Sequence, residues 1–418
     1  MYLQHLSLTH FRNYARLEVD LPARVNVLQG DNAQGKTNLL EAVYYLATTR
    51  TPLAASDRQL IHWDAEQEVI PYARAEAIFV RGGHDRSLEV TLAKEPQSPD
   101  EPQETVLRRQ IRVDGVPRRA IDTVGQLVVV LFLPDDIALV AGSPGTRRRY
   151  LDITLCQIDP VYCRTLSRFN RVLTQRNALL RQVRERHAPA QELSVWDEQL
   201  AALGGYVLAR RLWVVRCLAE QGAVIHPELT GGHEALTLDY QDSLSTRRTN
   251  GSRDAVLPRV DCADLPETAE AEALEAALRR GLEATRREDI GRAVTTVGPH
   301  RDDVRFLING IDATIYGSRG QQRTVALGLK LAEVQVMEEH TGEAPVLLLD
   351  DVVSELDRDR SRYLLRSVAR AQQVLLTTTD LGFLGESFVE DACLWRVERG
   401  TVERVGATGA GAGPRGSY

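Results

Sequence analysis

Residues 24–46 read RVNVLQGDNAQGKTNLLEAVYYL, and the order of features in this stretch decides the fold. Val25, Val27 and Leu28 form a short β-branched and apolar run, the pattern of a buried strand. Gly30-Asp31-Asn32-Ala33-Gln34-Gly35-Lys36-Thr37 comes next, and Leu39, Leu40, Val43 and Leu46 then recur at helical spacing. A G-x-x-x-x-G-K-[ST] pattern carries meaning only between a strand and a helix, and here it has both neighbours. Gly30 and Gly35 let backbone N–H groups approach phosphate oxygens without a Cβ in the way. The positive end of the new helix faces the same place. Lys36 is expected to reach the β- and γ-phosphates, and the Thr37 hydroxyl to ligate Mg²⁺. Lysine occurs only at positions 36, 94 and 330 among 51 basic residues. A lysine kept in so arginine-rich a chain marks a site where a planar guanidinium does not fit.

Composition bounds the rest. A chain of 418 residues is long for one core and points to two or three lobes. With 43% hydrophobic and 26% charged residues it reads as an ordinary soluble globular protein. The longest apolar run, Leu127 to Leu133, is strand-sized and far too short to span a bilayer. The start, MYLQHLSLTHFRNY, shows no basic-then-apolar signal, so a cytoplasmic protein without membrane contact is expected. Cys156, Cys163, Cys217, Cys262 and Cys393 are odd in number and without metal-like spacing, which predicts reduced thiols. A net charge of −7 excludes a uniformly basic nucleic-acid binder and leaves any DNA contact to local patches.

Outward from the loop, 2–8 and 16–21 read as strands leading into the loop strand. The stretches 69–80, 88–93 and 106–113 read as an antiparallel meander, with the proline- and acid-rich 95–104 as its solvated loop. Residues 127–133 return as a buried strand. From about 135 to 292 the pattern turns helical and arginine-rich, with helices over 146–155, 160–186, 194–219 and 267–290 and a polar loop over 246–266. Val304–Ile308, Asn309-Gly310 and Ile311–Ile315 read as a hairpin with a type I′ turn. A long helix over 321–339, a strand over 345–350, a helix over 358–369 and a strand over 373–378 complete the pattern. The tail GATGAGAGPRGSY is expected to be disordered.

Val346-Leu347-Leu348-Leu349-Asp350-Asp351 is an apolar strand ending in two acids. In P-loop ATPases the carboxylate ending such a strand holds Mg²⁺, which suits Asp350. Asp351, at the strand tip, is placed to orient or deprotonate an attacking water. Ser318-Arg319-Gly320-Gln321-Gln322 opens the long helix just ahead of that strand. A serine there is ordinarily a helix cap; the alternative is a helix terminus aimed at a phosphate. Arg108, Arg109, Arg112, Arg118 and Arg119, and then Arg147, Arg148 and Arg149, form basic clusters that in such a chain are either solvated faces or phosphate contacts.

Phe11-Arg12-Asn13-Tyr14, the GDNAQGKTNLLEA loop, Gly298-Pro299-His300-Arg301-Asp302-Asp303, SRGQQRT, LLLDDVVSELD and LLTTTD together resemble the RecF family of bacterial recombination mediators, from Met1 to about Arg404. The resemblance implies an α/β fold, an ABC-type P-loop ATPase head with a mixed sheet, flanking helices and an inserted, mainly helical lobe. The expected boundaries are 1–134 with 293–404 for the ATPase lobe, 135–292 for the helical lobe and 405–418 for the tail. It further implies a head-to-tail ATP-dependent homodimer. Gly30, Asp31, Asn32, Ala33, Gln34, Gly35, Lys36 and Thr37 of one chain, with Arg12 and Asn13, then face Ser318, Gly320 and Gln321 of the other. Ser354–Asp357 crosses that interface. Thr379-Asp380 stands where ABC ATPases carry a switch histidine, and no glutamine occurs in 131–136, where a metal-contacting one often sits. Asp351 replaces the usual glutamate and is one methylene shorter, so slow, DNA-stimulated hydrolysis is expected. The implied function is an ATP-gated clamp at gapped or single-strand/double-strand DNA junctions in recombinational repair and the SOS response, working with RecO and RecR to load RecA. A transporter ATPase subunit or a small-molecule kinase are the rival readings. The first needs a membrane partner and the second an acceptor-binding lid.

Overall fold

In this computed structural model the described residues are 1–98, 101–244 and 268–405, and they divide into two compact units, Met1–Pro134 with Glu343–Tyr418 and Asp135–Gly342.

The first unit is built on the strand Val25–Gln29. Its sheet runs Thr401–Arg404, Cys393–Glu398, Val25–Gln29, Val374–Thr378, Val346–Asp350, Val129–Phe132, and all neighbours are parallel except the terminal hairpin. Every residue of Val346–Asp350 and Val374–Thr378 is buried. Unbroken apolar runs of this kind belong in a parallel sheet covered on both faces. Register then does the positioning: Leu28 pairs with Thr377 and Thr377 with Asp350, so the carboxyl ends of three strands lie in one row. Open α/β sheets place their ligands at that edge.

A second, antiparallel sheet runs Tyr14–Asp20, Tyr2–Phe11, Tyr72–Arg81, His84–Ser98, Glu101–Val113, Val116–Pro117. The expected meander is present, and the two N-terminal strands join it through Tyr2–Phe11 beside Tyr72–Arg81. The expected solvated loop over 95–104 is instead paired strand up to Ser98 and again from Glu101. Pro96 is tolerated because it pairs with Thr105 beside a register shift, where a missing N–H costs little. Gln373 ties the two sheets, accepting from Leu3 N at 2.7 Å and donating to Leu3 O at 2.7 Å.

The second unit contains the helices Pro144–Ile158, Pro160–Arg184, Leu193–Thr230, Thr268–Arg292 and Arg319–Thr341. It also holds a three-stranded sheet with Asp303–Ile308 between Leu236–Gln241 and Ile311–Asp312. The unit therefore extends to Gly342, fifty residues past the boundary expected at 292. The reason is Leu236–Gln241, a strand within the stretch expected to be helical. It pairs along its length with Asp303–Ile308, and the helix Arg319–Thr341 packs against Leu193–Thr230, so both stay in this unit. The predicted second strand of the 304–315 hairpin shortens to Ile311–Asp312 and gives way to a helical turn, Ala313–Tyr316, capped by Asp312. The polar loop expected over 246–266 and the tail from 406 lie outside the described residues. Cys156, Cys163 and Cys393 are in the reduced thiol state, and Cys262 lies outside the described residues.

Candidate nucleotide site

The loop after Val25–Gln29 is held from behind by residues that are distant from it in the chain. Gly30 donates its N–H to Thr378 O at 3.3 Å, and a Cβ built on Gly30 would stand 2.2 Å from the Val397 carbonyl oxygen. Gly35 has φ +118°, and a Cβ there would meet Asn13 Nδ2 at 2.6 Å and the Tyr14 hydroxyl oxygen at 3.0 Å. Both sites admit only glycine. Asn13 donates to Gln34 O at 3.0 Å and accepts from Asn38 at 2.8 Å, while the buried Tyr14 hydroxyl donates to Gly35 O at 2.9 Å. Burial raises the Tyr14 pKa and keeps that hydroxyl a donor. From the other side, the turn Arg399-Gly400 donates N–H groups to Gln34 Oε1 at 2.7 Å and Gln34 O at 3.1 Å. Arg399 and Gly400 take φ +48° and +75°, the two left-handed conformations that a tight hairpin turn of this type requires.

What faces outward is a ready anion cradle. Asp31, Asn32 and Ala33 are exposed. The helix Lys36–Thr48 begins on Gly35, with no side-chain cap and no acid in its first turn. Its first N–H groups and its dipole are left for a ligand. Lys36 is nearly buried and donates to Gly30 O at 2.7 Å and Asp31 O at 2.8 Å, whereas the other two lysines pair with carboxylates, Lys94 with Glu66 and Lys330 with Glu333. Burial lowers the Lys36 pKa, against the pull of Asp351, Asp350 and Asp31.

The acidic pair sits in the same unit. Asp350 Oδ1 accepts from Thr37 Oγ1 at 2.9 Å and from Thr377 Oγ1 at 2.8 Å. Burial raises its pKa, partly offset by the Thr377 and Thr37 hydrogen bonds, with Asp351 pushing the same way as burial. Thr377 also accepts from Asp351 N at 3.0 Å, so one threonine fixes both acids. The LLTTTD run contains that threonine, but nothing in the run singles it out from its two neighbours. Asp351 takes φ +50°, a costly conformation for a residue with a side chain, and its Oδ1 is buried with no hydrogen-bond partner among the described residues. No cluster of three or more His, Cys, Asp or Glu that could hold a metal occurs among the described residues. Thr37 and Asp350 do suit Mg²⁺, which is held by one or two protein oxygens with phosphate and water supplying the rest.

Other expected site residues are placed differently. Arg12 spends its fork on Glu41, Nε to Oε2 at 2.6 Å and Nη2 to Oε1 at 2.9 Å, and gives Nη1 to Gln59 O at 3.2 Å. It therefore anchors the loop helix, while its neighbour Asn13 touches the loop itself. Ser318, Gly320 and Gln321 lie in the second unit. Ser318 and Gln321 form a complete capping box, with Gln321 N to Ser318 Oγ at 3.2 Å and Ser318 N to Gln321 Oε1 at 2.9 Å. Gln321 Nε2 continues to Glu234 at 2.8 Å. The ordinary cap is thus present, yet it does not explain Gly320. That residue is exposed, and a Cβ there would meet nothing closer than Ser318 Oγ at 3.9 Å. Asp380 accepts from Gly382 N at 2.8 Å in a local turn. Asp357 caps the helix Arg358–Val368, accepting from Arg360 N at 3.0 Å.

The basic clusters are largely spoken for. Arg108 pairs with Glu95, Arg109 with Asp57, Arg119 with Asp122 and Arg147 with Asp303, while Arg148 donates to Asp302 O at 2.6 Å.

Comparison with known proteins gives a consistent result. Residues 2–394 match the RecF/RecN/SMC N-terminal domain. The DNA replication and repair protein RecF of Chloroflexus aurantiacus is 44% identical over 96% of this chain and 99% of the relative. That of Enterococcus faecalis is 36% identical over 98% and 100%. A solved structure of the recombination mediator protein RecF with ATP, from the RecFOR pathway, is 30% identical, covers 97% of each chain and superposes with a TM-score of 0.79. The SMC head of Pyrococcus furiosus, 13% identical with a TM-score of 0.50, shares the fold alone.

Proposed function

The chain belongs to the RecF family of SMC-type ATPase heads, and from that premise we propose that it is an ATP-gated DNA-binding protein of recombinational repair. One observation carries the reading: an uncapped helix terminus, Lys36, and the Thr37–Asp350–Asp351 constellation converge on one strand edge. Lys36 exchanges two carbonyl partners for phosphate oxygens, which recovers the cost of burying its charge. Thr37 and Asp350 hold Mg²⁺, which would neutralise phosphate charge. Asp351, its Oδ1 unsatisfied, orients the attacking water and accepts its proton. Being an aspartate, it reaches less far than a glutamate, which supports slow turnover.

The second half of the site comes from a second copy. Gly320, unneeded by its own helix, lets the Ser318–Gln321 terminus approach the partner's nucleotide closely. The dimer closes on DNA junctions, DNA stimulates hydrolysis, and hydrolysis releases the DNA, with RecO and RecR acting to hand the strand to RecA. The test is the monomer–dimer equilibrium by analytical ultracentrifugation without nucleotide, with ATP, and with ATP and a tailed duplex. Dimer with ATP and a ternary complex with DNA are expected. A chain that stays monomeric with ATP bound overturns the reading.

A further inference from the structure

The helix Pro160–Arg184 reads PVYCRTLSRFNRVLTQRNALLRQVR, six arginines and no acid in 25 residues. Its buried stripe is Tyr162, Phe169, Val172, Arg176, Leu179 and Leu180, and Arg176 is turned inward onto Asp197 and Asp289. The rest of the helix surface exposes Arg164, Arg168, Arg171, Arg181 and Arg184, spread over a broad face from one flank of that stripe to the other. Between them stand neutral hydrogen-bonding side chains, Ser167, Asn170, Thr174 and Gln175, all exposed. Arg168, Arg171, Arg181 and Arg184 have no carboxylate partner among the described residues, in contrast with the paired arginines of the other clusters.

We propose that this face is a surface for the sugar-phosphate backbone of nucleic acid, bound without base readout; it deepens the DNA-binding reading above and rests on it. Three arguments carry it. Like charges at i,i+3 and i,i+4 cost a helix roughly 0.2–0.5 kcal/mol per pair, and an interleaved glutamate would relieve that if the face only met water. An unrelieved row in a chain of net charge −7 fits a polyanion. The only large apolar side chain the helix exposes is Val161, whereas protein partners are met through apolar and aromatic centres. At about 1.5 Å per residue the four arginines 168–184 extend over about 24 Å, within one turn of duplex, and each guanidinium fork matches a phosphate.

The test uses the full chain with ATP and a fluorescent tailed duplex, titrated from about 50 to 200 mM salt. In the variant Arg168→Gln/Arg171→Gln/Arg181→Gln/Arg184→Gln, affinity is expected to fall about tenfold or more. The slope of log K against log salt should flatten by about 0.9 for each duplex phosphate that the variant no longer neutralises. The matching fourfold lysine variant should keep both, and ATP-driven dimerisation and DNA-free hydrolysis should not change in either. Should the glutamine variant lose its helix by circular dichroism, Arg171→Gln and Arg181→Gln singly carry the same test. Unchanged affinity and slope overturn the proposal and leave the face to an acidic protein surface. A wild-type chain that dimerises with ATP but binds no DNA sinks the functional reading instead.

Discussion

Two motif glycines face opposite structural demands, and replacing each by alanine separates the fold's needs from the nucleotide's. At Gly35 the φ of +118° and the 2.6 and 3.0 Å approaches to Asn13 and Tyr14 both oppose a Cβ. The strained backbone costs about 1–3 kcal/mol and the overpacking about as much again. Asn13 cannot simply yield, since it is held by Gln34 O and Asn38. A loop displaced by about 3–5 kcal/mol loses its bound geometry, which corresponds to roughly 10²–10³-fold or more in ATP affinity. At Gly320 no atom stands within 3.9 Å of the added Cβ, so Gly320→Ala stabilises its helix by about 0.5–1 kcal/mol and leaves ATP affinity of the monomer untouched. ATP-driven dimerisation should nevertheless weaken, because the methyl group intrudes on the partner's nucleotide. Fluorescent-nucleotide titration, thermal melts and sedimentation read the three effects. If Gly35→Ala binds ATP normally, the cradle argument is wrong; if Gly320→Ala dimerises as wild type, the glycine has no partner to make room for.

Asp351→Asn should bind ATP and dimerise normally while hydrolysis falls roughly 10²–10⁴-fold, measured as phosphate release; turnover at the wild-type rate moves the proton acceptor elsewhere. Lys36→Arg should abolish ATP-dependent dimerisation, because the guanidinium cannot occupy the space between Gly30 O and Asp31 O; retained dimerisation contradicts the special role of lysine. Asp350→Asn keeps an Oδ1 for both threonines and removes a carboxyl whose folded pKa is raised by burial. Such a group holds its proton more tightly folded than unfolded, so wild-type stability without nucleotide falls as pH rises through the ordinary carboxylate value towards the raised one. Melts across acidic to neutral pH should show the Asn variant overtaking wild type over that window, while Mg-ATP no longer stabilises it. A variant that melts lower than wild type at neutral pH overturns the assignment of burial as the dominant cause.

The glycine loop and the acid-ended strand are legible in the sequence because an apolar run, a glycine turn and helical spacing are local patterns that mark them whatever the tertiary context. Thr37 and Asp350 are 313 positions apart, and only the shared strand edge is needed to bring them within 2.9 Å. Of the supports behind the loop, Asn13 is expected beside it from the sequence, but the one given by the C-terminal hairpin is not legible. Gln34 looks like any loop residue until the Arg399-Gly400 turn is laid against it, and pairing over such a separation leaves no periodic trace. The strand Leu236–Gln241 escapes a sequence reading for the same reason: its partner begins at Asp303. Arg12 suggests a phosphate ligand by its charge, but Glu41, one turn into the loop helix, takes that charge first. At Ser318 two readings share one pattern, since a capping box and a phosphate-facing terminus ask for the same residues.

The central claim, that two chains complete each other's sites, meets its most direct test in nucleotide affinity. Ser318→Arg places a long cation where the helix terminus must dock yet leaves the chain's own cradle intact, whereas Lys36→Ala removes that cradle's cation. Titrated with a fluorescent ATP analogue at concentrations where the chain is monomeric, Ser318→Arg should bind as wild type and fail only to dimerise, while Lys36→Ala should bind weakly. If Ser318→Arg lowers monomer affinity as much as Lys36→Ala does, the segment serves its own chain's nucleotide and the shared-site account is wrong.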